Sequence, residues 1–381
     1  MHKSRQSPGR ARLPSGPTNS GTPPTPSVRA CAGLLFSIFM TAASLLNADE
    51  LALSWQKLPP LPDPIGVAGA FAGTSGNALL VAGGANFPDK LPWEGGTKTW
   101  YDQVFVLEEP DGPWRAGFKM PLASAYGVSV TAPEGVVCIG GSNAQRHLTN
   151  VFLLRWDGRR VETKDLPPLP VPLANSCGAI LGRSIYVAGG TDSPEATHAL
   201  RKFLHFDLSQ PGSAWQELPP WPGPARMLSV AAALDGSFFV VGGTDLHPGP
   251  DGKPARTYLK DGYRFTPGQG WKRVADLPNP VVAAPSPAPL LGDSSFLLVG
   301  GDDGSLVGFE PRSQHPGFPH RVLQYQVRGD RWTAVGQAPL SRATLPTAAW
   351  RGLHILPSGE ARPGVRSPEV WAFRPNGLHH Q

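Results

Sequence analysis

The chain has 381 residues and combines a low content of charged residues, 17%, with 45 glycines and 44 prolines. Its eleven tryptophans and sixteen phenylalanines supply a large apolar core, which excludes a disordered chain. The formal net charge of +5 comes from residues 1–48, which contain five Lys and Arg and no Asp or Glu, so the remaining residues are neutral as a whole. A neutral body lacks the basic surface that binds nucleic acid or an anionic membrane, and we expect neither as a partner.

Residues 1–48 have the features of an export signal. The apolar run ACAGLLFSIFMTAASLL at residues 30–46 follows Arg29 and precedes the small residue Ala48. A basic residue, an apolar run and a small residue at the cleavage point are the parts of a secretory signal peptide. With 17 residues the run is close to the shortest membrane span, so a signal anchor is the alternative. We expect an exported protein, periplasmic or secreted, without stable membrane insertion once the signal is removed.

A short apolar run that ends in Gly-Gly recurs along the rest of the chain. The copies LLVAGG, VVCIGG, IYVAGG, FFVVGG and FLLVGG end at Gly84, Gly141, Gly190, Gly243 and Gly301, and a degenerate sixth copy, LHILPSG, ends at Gly359. A period near 50 residues with a double glycine after an apolar strand is the signature of Kelch repeats, each of which forms one four-stranded propeller blade. The repeat therefore predicts an all-β, six-bladed Kelch β-propeller.

Tryptophans mark the outer part of each repeat and show how the ring closes. Five of them follow a Gly-Gly copy: Trp114, Trp156, Trp215, Trp271 and Trp332. The sixth copy has no following tryptophan, and the missing segment stands at the other end, as SWQKLP at residues 54–59. We expect this N-terminal strand to pair with Val370–Phe373 and complete the last blade, which buries two exposed strand edges. Residues 49–381 then form one domain with about 55 residues per blade, and the tryptophans pack between blades.

The propeller mouth is the expected place for a site. The loops after each Gly-Gly and the loops leading into each innermost strand converge there, and function in such folds usually lies on loops. The second group of loops contains Tyr126, Asn175, Arg226 and Arg342. Arginine binds carboxylates with two parallel hydrogen bonds, so these residues favour a small anionic ligand. The alternative is that the arginines bond loop carbonyls or lie in solvent.

The sixth mouth loop differs from the others. Glu360 follows Ser358-Gly359 directly, and the turn at Pro363-Gly364 is expected to bring Arg366 back toward this glutamate. A carboxylate beside a cation suits a general base next to a group that holds an anionic substrate. The alternative is a structural pair that fixes the loop.

Metal or redox chemistry has little support in the sequence. After signal removal only Cys138 and Cys177 remain, both in apolar strand-like runs, and no Cys or His spacing is typical of zinc. We expect no metal and no cofactor.

The segments SGEARPGVRSPEV, SAYGVSV and LLVAGGANFPDKLPWEGGTKTWYDQVFVL resemble the Kelch-type N-acetylneuraminate epimerases, the sialic acid mutarotases, and in particular their cyclically permuted branch. The resemblance covers essentially all of residues 52–375, in permuted blade order. It implies an exported isomerase that interconverts the α and β anomers of N-acetylneuraminic acid or a related acid sugar. It also implies that Glu360 is the proton acceptor and that Arg366 acts in the same site. The predicted substrate-binding residues are Arg362, Arg342, Arg226, Asn86, Glu94, Lys98 and Tyr126.

The residues also suit this chemistry on their own. Anomer exchange needs a base for the anomeric hydroxyl, an acid for the ring oxygen and a cation for the carboxylate, and it needs no cofactor. A sialidase would require repeated S-x-D-x-G-x-T-W motifs, which the sequence lacks. A Kelch-type copper oxidase would require a Tyr/His ligand set and a cysteine cross-linked to tyrosine, and the small number of cysteines argues against it. The remaining alternative is a non-catalytic exported propeller that binds a glycan or a protein.

Overall fold

The computed structural model describes residues 52–210, 212–249 and 252–376. The described residues form β-strands joined by loops and turns, with almost no helix, and the main strands form six antiparallel four-stranded sheets. The predicted six-bladed propeller is therefore confirmed. The export signal predicted for residues 1–48 lies outside the described residues. Within the described ranges, no helix is long and apolar enough to cross a membrane.

The described residues contain thirty strands and two short 3₁₀ helices. The first ten strands are β1 (Leu53–Leu58), β2 (Phe71–Ser75), β3 (Ala78–Ala82), β4 (Ala85–Asn86), β5 (Thr99–Trp100), β6 (Gln103–Leu107), β7 (Arg115–Lys119), β8 (Val128–Ala132), β9 (Gly135–Ile139) and β10 (Val151–Trp156). The next ten are β11 (Val161–Leu166), β12 (Cys177–Leu181), β13 (Ser184–Ala188), β14 (Phe203–Asp207), β15 (Gln216–Glu217), β16 (Val230–Leu234), β17 (Ser237–Val241), β18 (Thr244–Pro248), β19 (Pro254–Tyr258) and β20 (Gly262–Thr266). The last ten are β21 (Gly270–Val274), β22 (Leu290–Leu291), β23 (Ser295–Val299), β24 (Arg321–Gln326), β25 (Arg331–Gln337), β26 (Ala348–Trp350), β27 (Leu353–Pro357), β28 (Glu360–Arg362), β29 (Val365–Arg366) and β30 (Val370–Pro375). The 3₁₀ helices span Pro92–Glu94 and Arg312–Gln314.

The strands assemble into blades in the predicted order. Blades 1 to 3 are β2-β3-β6-β7, β8-β9-β10-β11 and β12-β13-β14-β15. Blades 4 to 6 are β16-β17-β20-β21, β22-β23-β24-β25 and β26-β27-β30-β1. The remaining strands form three small hairpins, β4-β5, β18-β19 and β28-β29, within the loops that join the second and third strands of blades 1, 4 and 6.

The first strand of each blade lies nearest the central axis. Strand β2 contacts β8 and β26, and β12 contacts β8 and β16, so these strands pack edge to edge around the channel. They are built largely from Gly, Ala, Ser, Thr and Val, which leave room for close approach.

Apolar side chains fill the spaces between blades, and the outer tryptophans link one blade to the next. The indole nitrogens of Trp114, Trp215, Trp271 and Trp332 donate hydrogen bonds of 2.8–2.9 Å to backbone carbonyls at the end of the preceding blade's outer strand. Trp156 differs, because it ends the third strand of blade 2 and contacts Glu108 of blade 1. The predicted packing role of the tryptophans is confirmed, and the hydrogen bonds add a fixed orientation.

Blade 6 is closed by the N-terminal strand, as predicted. Strand β1 pairs with β30 over six residues, from Leu53 opposite Pro375 to Leu58 opposite Val370. Trp55 packs on Phe373 with ring centroids 4.5 Å apart.

We predict that Trp55→Ala destabilises the propeller by about 2 kcal/mol, somewhat less than the loss of a fully buried tryptophan. The reason is that the substitution removes the aromatic contact that anchors the closing strand. Denaturant unfolding of the two proteins measures the difference. Gln56→Ala, on the exposed face of the same strand, is the control and should change stability by less than about 0.5 kcal/mol; equal losses for the two variants would contradict the prediction.

Candidate active site

A closed ring of six backbone hydrogen bonds surrounds the channel at the mouth. Each blade contributes one residue just before its innermost strand, and the amide of that residue donates to the carbonyl of its counterpart in the preceding blade. The six residues are Gly69, Tyr126, Asn175, Leu228, Ala283 and Thr344, with N···O distances of 2.6–2.9 Å. All six have positive φ angles between 55° and 65°. We call them the axial ring.

The axial ring fixes which side chains reach the channel. All six of its residues line the central cavity, together with small residues of the innermost strands. Within the axial ring, Tyr126, Asn175 and Thr344 have polar side chains, and Gly69 has no side chain. A Cβ atom on Gly69 would lie 2.5 Å from a ring carbon of Tyr126, so the glycine allows the tyrosine to lie against the backbone.

A second set of residues lies beside the axial ring. The residue directly after each Gly-Gly pair (Ser358-Gly359 in blade 6) makes a backbone bridge to the residue that precedes an axial-ring member. These residues are Ala85, Ser142, Thr191, Thr244, Asp302 and Glu360. Glu360 pairs in this way with Ala343, which places it next to Thr344. The repeat therefore positions Glu360 at the mouth with the same backbone geometry that places Ala85 and Ser142 in blades 1 and 2.

Arg366 and Glu360 form an ion pair. Their strands, β28 and β29, form a tight hairpin in which the two residues lie directly opposite each other. Nη1 of Arg366 is 2.6 Å from Oε1 of Glu360, and the side chains are 3% and 19% exposed. The hydroxyl of Thr344 donates to Oε2 of Glu360 at 3.3 Å. The prediction that the Pro363-Gly364 turn returns Arg366 to Glu360 is confirmed, and one carboxylate oxygen remains weakly bonded.

The guanidinium of Arg366 also connects Glu360 to Tyr126. Its Nη2 is 3.4 Å from the Tyr126 hydroxyl, its Nε is 3.4 Å from the carbonyl of Ala85, and its carbon lies 4.9 Å from the ring centroid of Phe87. Arg366 is therefore buried among protein groups, and its charge faces Glu360. Blades 1, 2 and 6 all contribute to this cluster.

Lys98 joins the same cluster from the blade 1 loop. Its ammonium nitrogen lies 5.1 Å from the ring centroid of Tyr126, 5.5 Å from that of Trp100 and 5.7 Å from that of Phe87. The side chain is half-buried. The predicted substrate-binding candidates Lys98 and Tyr126 are thus brought together with Glu360 and Arg366.

Asn86 and Glu94, from the same loop, have other partners. Asn86 is fully buried, donates to the carbonyl of Gly66 at 2.9 Å and accepts from the Tyr101 hydroxyl at 2.7 Å. Glu94 is exposed and accepts a hydrogen bond from the backbone amide of Leu91 at 3.2 Å. Asn86 therefore holds the loop in place, and Glu94 stabilises its own turn.

Arg226 and Arg342 are also committed to the protein. Arg226 is 0% exposed, forms a 2.8 Å ion pair with Asp261, and its guanidinium lies near the rings of Trp221 and Tyr263. Arg342 is buried, and its Nη2 is 2.8 Å from Oε2 of Glu369. Each precedes its axial-ring residue by two positions, so its side chain faces the blade interior. We correct the expectation that these two arginines bind a ligand.

Arg362 lies at the rim of the mouth. Its Nη1 donates to the carbonyl of Ser313 at 2.7 Å, which links the blade 6 hairpin to the long loop of blade 5. It remains half-buried, but it does not contact the Glu360 cluster through any hydrogen bond among the described residues.

Several site residues were not identified from the sequence. Phe87 and Trp100 form the surroundings of Lys98 and Arg366, and Thr344 contacts Glu360. On the other side of Tyr126, the Asn175 amide donates to Thr191 at 3.3 Å, and the buried His147 ring lies 3.0 Å from the same hydroxyl. Burial lowers the pKa of His147 below its ordinary value. Thr344 could have been found from its position in the repeat, which is equivalent to that of Tyr126 and Asn175, both named from the sequence.

The two cysteines lie on strands β9 and β12. Cys138 and Cys177 are free and fully buried in blades 2 and 3. Burial raises the pKa of both thiols, that of Cys177 to about 12. Among the described residues, no three His, Cys, Asp or Glu side chains converge as a metal site would require.

Comparison with known proteins supports the resemblance predicted from the sequence. Residues 39–163 match the sequence model of the N-acetylneuraminate epimerase family. Curated proteins with that name are similar to this chain. The one from Brucella suis is 37% identical over 32% of this chain and 35% of its own length. The Haemophilus influenzae protein is 26% identical over 54% and 58%, and the Vibrio cholerae protein is 36% identical over 29% and 33%. The predicted similarity to this family of isomerases is confirmed.

These matches cover only part of each protein. The chain spans between a third and about three fifths of the length of the curated relatives given above. The family match includes Phe87, Lys98, Trp100 and Tyr126 but ends before the hairpin that carries Glu360 and Arg366.

We predict that Gly69→Ala destabilises the protein by more than Gly76→Ala. Both glycines have positive φ angles, +65° and +56°, so both substitutions cost about 1–2 kcal/mol in backbone strain. Only at Gly69 would the new Cβ collide with Tyr126, whereas nothing lies within 4 Å at Gly76. Denaturant unfolding of both variants provides the comparison, and equal losses would show that Tyr126 is not held against Gly69.

Glu369, next to the closing strands of blade 6, should make the stability of the protein depend on pH. Hydrogen bonds from Lys57 and Trp371 lower the pKa of Glu369 below its ordinary value, and the nearby positive charge of Arg342 lowers it further. Because folding favours the carboxylate, its contribution to stability is complete above the ordinary pKa and is lost as the pH falls through the lowered pKa. Glu369→Gln should therefore be less stable than the unmodified protein at pH 7, and the difference should shrink at about pH 3.

Denaturant unfolding at the two pH values measures this change. Glu310→Gln, which alters an exposed ion pair with Arg312, is the control and should have little effect at either pH. A deficit of Glu369→Gln that stays constant with pH would contradict the assigned role.

Proposed function

We propose that this protein is a mutarotase that interconverts the α and β anomers of N-acetylneuraminic acid or a closely related acid sugar. The observation that carries the proposal is the Glu360 carboxylate, which is 19% exposed in the propeller mouth and paired with a buried arginine. The names of the similar proteins support the choice of reaction and substrate. We further propose that residues 1–48 direct the protein out of the cytoplasm, which N-terminal sequencing of the mature protein would test.

The reaction requires two proton transfers, one at each of the two oxygens bonded to the anomeric carbon. A base removes the proton of the anomeric hydroxyl while the bond between the anomeric carbon and the ring oxygen breaks and the ring oxygen gains a proton. The product is an open-chain keto acid. Rotation about the bond next to the carbonyl and the reverse proton transfers close the ring on the other face. Atoms and charge balance without any co-reactant.

Glu360 is suited to act as the base. Arg366 holds Oε1, and among the residues that the structure describes only the 3.3 Å contact with Thr344 engages Oε2. This second oxygen therefore has a free lone pair for the anomeric hydroxyl, and its direction is fixed by the ion pair. A base held in a defined geometry typically accelerates proton transfer by about 10²–10⁴-fold.

Tyr126 is suited to protonate the ring oxygen. Arg366 donates toward the Tyr126 hydroxyl oxygen at 3.4 Å, which leaves the tyrosine's own proton available to a substrate. The axial ring and Gly69 hold this side chain against the backbone. Base and acid then lie on two sides of one guanidinium, as needed for two oxygens bonded to the same anomeric carbon.

We predict that Glu360→Gln lowers the rate of mutarotation by at least about 100-fold while the protein stays folded. The amide has nearly the same shape but cannot accept the proton. Proton NMR of freshly released α-N-acetylneuraminic acid follows the anomeric equilibration with and without enzyme. Glu310→Gln, on an exposed part of a neighbouring mouth loop, is the matched control and should keep the full rate.

Three outcomes separate the alternatives. A Glu360→Gln variant with an unchanged rate would show that another group is the base. An unmodified protein that binds the sugar without accelerating equilibration would favour the non-catalytic glycan-binding propeller. An unmodified protein that neither binds nor accelerates would rule out this substrate class.

A further inference from the structure

Lys98 carries a positive charge that has no acidic partner in the described part of the chain. No ion pair or hydrogen bond involves its ammonium group there, and the three aromatic rings of Phe87, Trp100 and Tyr126 surround it at 5.1–5.7 Å. Aromatic faces attract a cation but do not neutralise it. A half-buried ammonium in such surroundings is therefore prepared to receive an anion from solution.

Arg366, by contrast, is not available for an incoming anion. Its side chain is 3% exposed, and its nearest charged group is Glu360, 2.6 Å away. Arg226 and Arg342 are similarly paired with Asp261 and Glu369. Among the cations of this cluster, Lys98 alone combines partial exposure with the lack of a described counter-ion.

Lys98 also lies close to the reacting groups. Its ammonium and the Arg366 guanidinium share contacts with the same two residues, Phe87 and Tyr126. In a 2-keto acid sugar the carboxylate is bonded directly to the anomeric carbon. An anion bound at Lys98 would therefore keep the anomeric carbon within reach of Tyr126 and of the Glu360–Arg366 pair.

We propose that Lys98 binds the substrate's carboxylate and thereby selects sugars that carry a carboxylate on the anomeric carbon. Phe87, Trp100 and Tyr126 hold the ammonium in place and exclude water from one side of the contact. Arg366 positions Glu360 and leaves substrate recognition to the lysine. The link to catalysis rests on the proposed mutarotase function, whereas the anion site itself does not.

The test compares an acid sugar with its uncharged form. Lys98→Met removes the charge and keeps most of the side-chain length. Isothermal titration calorimetry would measure the binding of N-acetylneuraminic acid and of its C1 methyl ester, which lacks the negative charge. The binding of both ligands is measured with proteins that also carry Glu360→Gln, so that turnover does not interfere. Lys90→Met makes the same chemical change at an exposed position of the same loop and is the control.

We expect Lys98→Met to weaken binding of the acid by about 10- to 100-fold, as for the loss of a charged hydrogen bond. Binding of the ester should remain unchanged, and Lys90→Met should affect neither ligand. An equal loss for acid and ester would assign Lys98 a structural role and overturn the proposal. Unchanged binding of the acid, or no binding of the acid before substitution, would also overturn it.

The two proposals fail in different ways. If Lys98 discriminates acid from ester but the unmodified protein does not accelerate anomer exchange, the anion site stands and the mutarotase function fails. If the unmodified protein accelerates exchange and Lys98→Met keeps the same KM for the acid, the function stands and the role of Lys98 fails.

Discussion

The closed ring of backbone hydrogen bonds around the axis is the constraint on which the site depends. Six amides can each donate to the preceding blade only if all six blades are present and the last one is closed by β1. The same ring requires a positive φ at each position, a conformation that costs about 1–2 kcal/mol for most residues. The axial ring at the mouth therefore forms only when β1 closes blade 6 at the outside of the propeller.

The shared backbone geometry of the six repeats explains why the candidate site lies beside blade 6. The bridge beside the axial ring places a residue at the same point in every blade, and in blades 1 to 4 that residue is Ala85, Ser142, Thr191 or Thr244. Only blade 6 combines an acid there with a hairpin short enough to return an arginine to it. Asp302 in blade 5 is the other acid at this point, and it accepts a 2.8 Å hydrogen bond from Tyr258 instead of pairing with a cation. The shared backbone bridge fixes where this residue lies, and the loop of blade 6 provides the glutamate and the arginine that pairs with it.

The sequence was informative where function depends on local pattern. The Gly-Gly period predicted six blades, the displaced Trp55 segment predicted the closing strand, and the Pro363-Gly364 turn predicted the Glu360–Arg366 pair. It was misleading for Arg226 and Arg342, because a shift of two residues along the loop decides whether a side chain meets the channel or the blade interior. The axial ring itself could not be predicted, since its members share a backbone conformation and no common residue type; only Gly69 and, less strongly, Asn175 are of types that favour this conformation.

The site also divides its positive charge between two environments. A buried ion pair gains little net stability because the cost of removing both charges from water offsets their attraction. Arg366 is therefore better understood as a group that fixes the position of Glu360 than as a source of stability. Once its charge is matched by that carboxylate, the guanidinium has little attraction left for a second anion. A substrate with a negative charge then needs a separate cation that is partly exposed and not already paired, and the aromatic surroundings of Lys98 meet that need without introducing a competing carboxylate.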